Sequence, residues 1–171
     1  MLVRAQERLR LAGADASWVN AADLHLTLVF LGDVSETLAR TVAEGMDRVA
    51  AECSPFSFKI GDLGCFGPTS SPRVVWAGVG ESKELRSLQQ RVVASVEACG
   101  AVADTRPYAP HITLARLGGP RRLRELTSRM ASTRSEVSGE IRVSRILLMR
   151  SQLDVLSARY TVLHAAHLIG T

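Results

Sequence analysis

Long apolar runs are missing from this chain. Hydrophobic residues make up 46% of its 171 positions, yet no stretch reaches the ~20 consecutive apolar residues of a membrane-spanning helix. The first residues, Met1-Leu2-Val3-Arg4-Ala5-Gln6-Glu7-Arg8, carry no apolar segment after the first charge, so they do not read as a secretory signal. The expected location is the cytoplasm. Cysteine is scarce as well: Cys53, Cys65 and Cys99 are odd in number, widely spaced and without a CxxC pair. That pattern suggests neither a disulfide framework nor a cysteine zinc site, and it fits free thiols in a reducing compartment. Lysine is rarer still. Of 21 basic residues only Lys59 and Lys83 are lysine. An arginine excess suits phosphate, because the guanidinium fork binds it bidentately. It equally follows from a GC-rich coding bias, the weightier explanation on composition alone. A net charge of +4 permits an RNA substrate without demonstrating one.

The composition that is present is globular: 22% charged residues and enough apolar side chain to offset chain entropy. The length suits one domain or two small lobes sharing a core. Periodicity predicts a helix over residues 2–12 ended by Gly13, and a strand over 24–31. Asp33 with Glu36 resembles a capping box for a helix over 35–52. A strand at 55–60, a loop at 64–72 and a strand at 73–79 follow. An amphipathic helix over 82–98 is closed by Gly100. Strand, helix and two strands then occupy about 111–117, 121–131, 139–149 and 157–168.

The order strand, helix, strand, strand recurs, and so does a short word. Residues 24–32 read LHLTLVFLG and residues 110–118 read PHITLARLG, with identity at five of nine positions and Leu26 replaced conservatively by Ile112. The copies lie 86 residues apart, about half the chain. A duplicated half-domain accounts for this, with halves of roughly 18–100 and 101–171 packed as a single domain over residues 1–171.

In a strand, residues two apart share a face. His25 and Thr27 then point one way, and Leu24, Leu26 and Leu28 the other; His111 and Thr113 are likewise opposed to Ile112 and Leu114. If the halves pair about a pseudo-two-fold axis, two imidazoles and two hydroxyls converge on one cleft. Such a pair suits proton transfer near neutral pH, because an unperturbed imidazole titrates near ~6.5. A neutral histidine takes a proton from attacking water while a cationic one supplies a leaving oxygen. Threonine hydroxyls donate to non-bridging phosphate oxygens. No carboxylate cluster accompanies the motifs, which disfavours a divalent-metal phosphatase; no metal or cofactor is expected. One His-x-Thr in a strand would be weak evidence. Two, with matched flanks at half-chain separation, are far harder to obtain by chance.

Other residues carry less. His164 and His167, at odd separation in the last strand, face opposite sides and cannot share a metal. Arg116 would lie on the strand face opposite His111 unless the strand bulges there; it is either a phosphate ligand or a solvated edge residue. Arg121, Arg122 and Arg124 form a basic cluster that is either solvated or a backbone-phosphate contact. Trp76 and Tyr108 are aromatics able to stack a base. A strand tryptophan more often packs in a core, and Tyr108, after Pro107, is better placed at a cleft mouth.

HLTLVFLG, PRVVWAGV and RPYAPHITLAR together resemble the two-histidine phosphoesterases, specifically their RNA 2′,3′-cyclic phosphodiesterase or 2′-5′ RNA ligase group, from about Trp18 to the C-terminus. The resemblance implies an α+β, bilobal fold, with two pseudo-symmetric antiparallel sheets, helices outside and a central cleft between the lobes. It implies metal-independent hydrolysis of RNA 2′,3′-cyclic phosphate ends to 2′-phosphates. His25 would be the proton donor to the 3′ oxygen, His111 the base, and Thr27 and Thr113 the phosphate ligands; Tyr108 and Arg116 are candidate substrate contacts on the reading of the residues alone. The alternatives are the same chemistry on a small cyclic nucleotide or an ADP-ribose cyclic phosphate, 2′-5′ RNA ligation, or an idle RNA-end-binding module. No membrane partner is expected, and the chain is expected to be a monomer. Family members usually open on a short apolar strand that is not seen before residue 2 here, so one sheet is expected to be a strand short or to have its edge covered.

Overall fold

The computed structural model describes residues 1–68, 70–103, 106–133, 137–153 and 158–170. Among the described residues, four α-helices form where the apolar residues recur at helical spacing. Helix α1, Leu2–Arg10, buries Leu2, Ala5, Gln6 and Leu9, one stripe along its axis. Helix α2, Glu36–Ala51, is capped by Ser35, whose hydroxyl accepts from the Leu38 N–H at 3.2 Å. The expected cap, Asp33, comes too early in the chain, because a cap must immediately precede the first helical residue to reach the orphan N–H groups. Helix α3, Lys83–Ala98, is capped in the same way by Ser82 and buries Leu85, Leu88, Val92 and Val96. Gly100 follows it at φ +88°, a left-handed conformation that costs glycine nothing. Helix α4, Leu123–Thr133, buries Leu126 and Met130.

Seven strands occur among the described residues: β1 (Ala16–Trp18), β2 (Phe56–Phe66), β3 (Val74–Val79), β4 (His111–Leu117), β5 (Gly139–Val143), β6 (Arg145–Leu153) and β7 (Ala158–His167). A five-stranded sheet has the order β1-β4-β3-β2-β5, and a second sheet pairs β6 with β7. The pairs β1/β4, β2/β3, β3/β4 and β6/β7 are all antiparallel. The fold is therefore α+β with antiparallel sheets, of five and two strands among the described residues.

The chain divides into two compact units. The first comprises Met1–Thr27, Lys59–Glu81 and Ala109–Ile141, the second Leu28–Phe58, Ser82–Tyr108 and Arg142–Thr171. Each unit draws on both repeat halves. In the first, α1 packs on α4, and Leu9, Val75, Ala77, Ile112, Leu114 and Leu126 are buried. In the second, α2 packs on α3, β6 and β7 around Val42, Met46, Leu88, Val92, Ile146 and Leu148. Each such leucine or isoleucine is worth about 1.5–3 kcal/mol when removed from water.

Three expectations are corrected. The strand over 24–31 does not form; that segment contributes only an isolated antiparallel bridge, Leu26 to Ile112. The chain passes from the first unit to the second at Thr27–Leu28. Leu28, Val29 and Leu31 then pack against the second unit's core, so their burial comes without a ladder. The loop expected from Gly64 is partly strand, since β2 continues to Phe66. The strand over 139–149 is two strands in different sheets, parted at Ser144; no glycine or proline marks the change.

Candidate active site

Both His-x-Thr motifs belong to the first unit. Along β4, Ile112 and Leu114 are buried, at 4% and 0% exposure, while His111 and Thr113 on the other face are half-buried. The single bridge between Leu26 and Ile112 brings motif one alongside. Antiparallel register places His25 opposite Thr113 and Thr27 opposite His111. With Leu26 and Ile112 on the core side, the flanking residues share the other face. The two motifs thus run past each other head to tail, with the bridge where a local two-fold axis would lie.

The two imidazoles are anchored identically. His25 Nδ1 lies 2.6 Å from the Asp23 carbonyl and His111 Nδ1 lies 2.7 Å from the Ala109 carbonyl. A carbonyl oxygen can only accept, so each Nδ1 carries the proton and donates it. Each Nε2 is left as the atom that accepts in the neutral ring and donates in the cation. Each partner carbonyl lies two residues upstream of its histidine, so the backbone of the motif itself sets the tautomer.

Arg116 joins the same face. Trp76 pairs with Thr113 and Val75 with Ala115, which leaves Leu114 as an extra residue. Leu114 and Ala115 are both fully buried, and Arg116 is exposed. Strict alternation would send Arg116 to the core side; the bulge reverses that.

An aromatic wall adjoins His111 but was not fully legible in the sequence. Phe66, expected in a loop, ends β2 with its ring edge-on to His111, centroids 4.7 Å apart at 88°. The Trp76 ring lies 5.2 Å from Phe66 and 6.5 Å from His111. It fits there because Gly64, its partner across the ladder, has no Cβ to strike the indole. The Trp76 Nε1 is buried without a hydrogen-bond partner among the described residues. The signal that was missed is the Phe-Gly pair at 66–67: Gly67 has φ +106°, so the turn begins one residue after the ring.

The remaining candidates lie elsewhere. Tyr108 belongs to the second unit. Its hydroxyl is buried without a partner among the described residues, and burial pushes its pKa up to about 12, with Arg86 opposing. Arg121, Arg122 and Arg124 are exposed around the start of α4. His164 Nε2 contacts Asp47 Oδ1 at 2.8 Å and His167 is exposed; the two face opposite sides of β7. Among the described residues no group of three or more His, Cys, Asp or Glu side chains is arranged to hold a metal, and no helix is long and apolar enough to cross a membrane.

The sequence model of the 2′-5′ RNA ligase superfamily matches residues 2–154. The chain belongs to that superfamily. An RNA 2′,3′-cyclic phosphodiesterase of Aeropyrum pernix is 31% identical over 164 residues, covering 95% of this chain and 92% of its relative. One of Geobacillus stearothermophilus is 43% identical over 100 residues, 58% of this chain but 32% of that relative's length. A crystal structure of a Thermus thermophilus protein superimposes with a TM-score of 0.82 at 29% identity, covering 99% of this chain and 90% of that one.

Proposed function

We propose that this chain hydrolyses the 2′,3′-cyclic phosphate end of RNA to a 2′-phosphate without a metal ion. His111 Nε2 takes a proton from water as the water oxygen bonds to phosphorus. The phosphorus–O3′ bond breaks, and His25 Nε2–H delivers its proton to the departing O3′. The products are a free 3′ hydroxyl and a 2′-phosphate, and the proton balance between the histidines is restored through solvent. Thr27 and Thr113 donate to the non-bridging oxygens. Arg116 is assigned to a phosphate.

The observation that carries this reading is the shared anchoring of His25 and His111, with both Nδ1 protons committed to backbone carbonyls on either side of one bridge. Two like groups with opposite proton-transfer duties need only differ in charge. Relatives called RNA 2′,3′-cyclic phosphodiesterases support the choice of reaction. The test is an RNA oligonucleotide bearing a 2′,3′-cyclic phosphate, with products identified by mass and by sensitivity to a 3′-specific phosphatase. A 2′-phosphate product formed equally well in a chelator is expected. A 3′-phosphate product refutes the direction of ring opening. Activity abolished by chelator and restored by a divalent ion refutes the metal-free mechanism. Faster turnover of a mononucleotide cyclic phosphate than of the oligonucleotide would move the substrate to the small-molecule class.

A further inference from the structure

The first unit contains a buried amide that the reaction does not use. Gln6 on α1 is 3% exposed, amid a stripe otherwise made of Leu2, Ala5 and Leu9. Its Nε2 donates to the Val19 carbonyl at 2.8 Å and to the Leu114 carbonyl at 2.9 Å. Both partners can only accept, so the orientation of the amide is fixed by them. The Leu114 carbonyl also accepts from the Val19 N–H at 3.0 Å. An apolar side chain of the same length would suit this stripe, and a buried polar group is costly unless fully bonded.

Both carbonyls border segments that build the site. Leu114 is the extra residue of the bulge that turns Arg116 onto the face of His111 and Thr113. Val19 ends the run along β4, just ahead of the 3-10 turn Ala21–Asp23. Asp23 in turn supplies the carbonyl that holds His25 Nδ1. We propose that Gln6 is a positioning residue: its amide ties the chain leading into His25 to the bulge following Thr113, and so holds the two motifs in register. Only the kinetic arm of the test rests on the function proposed above.

Gln6→Met keeps the length and helix preference and removes both donors. Leu9→Ala, in the same helix at a fully buried position, lowers stability without touching either carbonyl. The primary readout is the imidazole spectrum by NMR, which needs no substrate. In Gln6→Met the ring resonances of both His25 and His111 should move, while in Leu9→Ala, compared well below its Tm, they should stay. With turnover in hand, Gln6→Met should lose ~10- to 100-fold in kcat, since small misplacement of reacting groups costs up to ~10²-fold. KM should change less than kcat. If Gln6→Met does not fold, Gln6→Asn, which keeps the amide but falls one methylene short, takes its place with the same expectation. Unmoved imidazoles in a folded variant overturn the proposal, whatever happens to Tm. Moved imidazoles in a protein that never turns over cyclic phosphate sustain the positioning role and instead refute the substrate reading.

Discussion

Residues 24–32 and 110–118 share five of nine residues, but only the second word becomes a strand. The second word is β4, with β1 on one side and β3 on the other in a five-stranded sheet. The first touches it through one bridge and then leaves for the other unit. Alternation decides which face a residue shows, whereas a ladder needs a neighbour running alongside for several residues. What the two words keep in common is local: a histidine whose Nδ1 donates to the carbonyl two residues before it.

If the two motifs are equivalent in chemistry, removing either imidazole should be equally ruinous. His25→Ala and His111→Ala should each lose ~10²–10⁴-fold in turnover of a cyclic-phosphate substrate. The double variant should cost less than the product of the two, because groups acting as one unit are non-additive. Steady-state rates across pH should give a bell for the wild type, with one limb lost in each single variant. Full activity in either would separate the motifs.

In stability the motifs should be unequal. Ile112, buried in the sheet, should cost about 2–5 kcal/mol as Ile112→Ala. Leu26 is half-buried and should cost about 1–2 kcal/mol as Leu26→Ala. Urea unfolding of the two variants measures this; equal losses would mean that motif one is as firmly seated as β4. The threonines should return to equivalence. Thr27→Val and Thr113→Val each remove one donor to a charged oxygen, worth about 1.5–3 kcal/mol, and should raise KM or lower kcat by roughly ten- to a hundredfold.

The smallest effect belongs to Tyr108, in the other unit. Its pKa rises from 10.0 to about 12 on folding, so the folded protein holds this proton more tightly than the unfolded chain. The stabilisation this shift contributes is fully present below about pH 10 and is lost as pH rises through that interval. Tyr108→Phe should abolish that alkaline loss in a Tm-versus-pH series.

The sequence was most informative where one segment carries its own reason. The helix stripes of α2 and α3, β4 and both His-x-Thr words could be read directly, because periodicity and repetition are local. It was least informative where a neighbour decides. No local signal placed Leu26 on a lone bridge, parted β5 from β6 at Ser144, or bulged β4 at Leu114 to bring Arg116 round. Gln6 drew no attention in the sequence, because its two carbonyl partners lie 13 and 108 residues away. Phe66 was hidden by the turn residues that follow it.

The central claim is that the two motifs serve one phosphate. A crystal structure with a nucleoside 2′-phosphate, the product, tests it most directly. The Nε2 atoms of His25 and His111 should flank a single phosphate with contacts of about 2.7–3.2 Å, on the order of 6–8 Å from each other, with the threonine hydroxyls on its remaining oxygens. A phosphate held by one histidine while the other faces away from it would contradict the account.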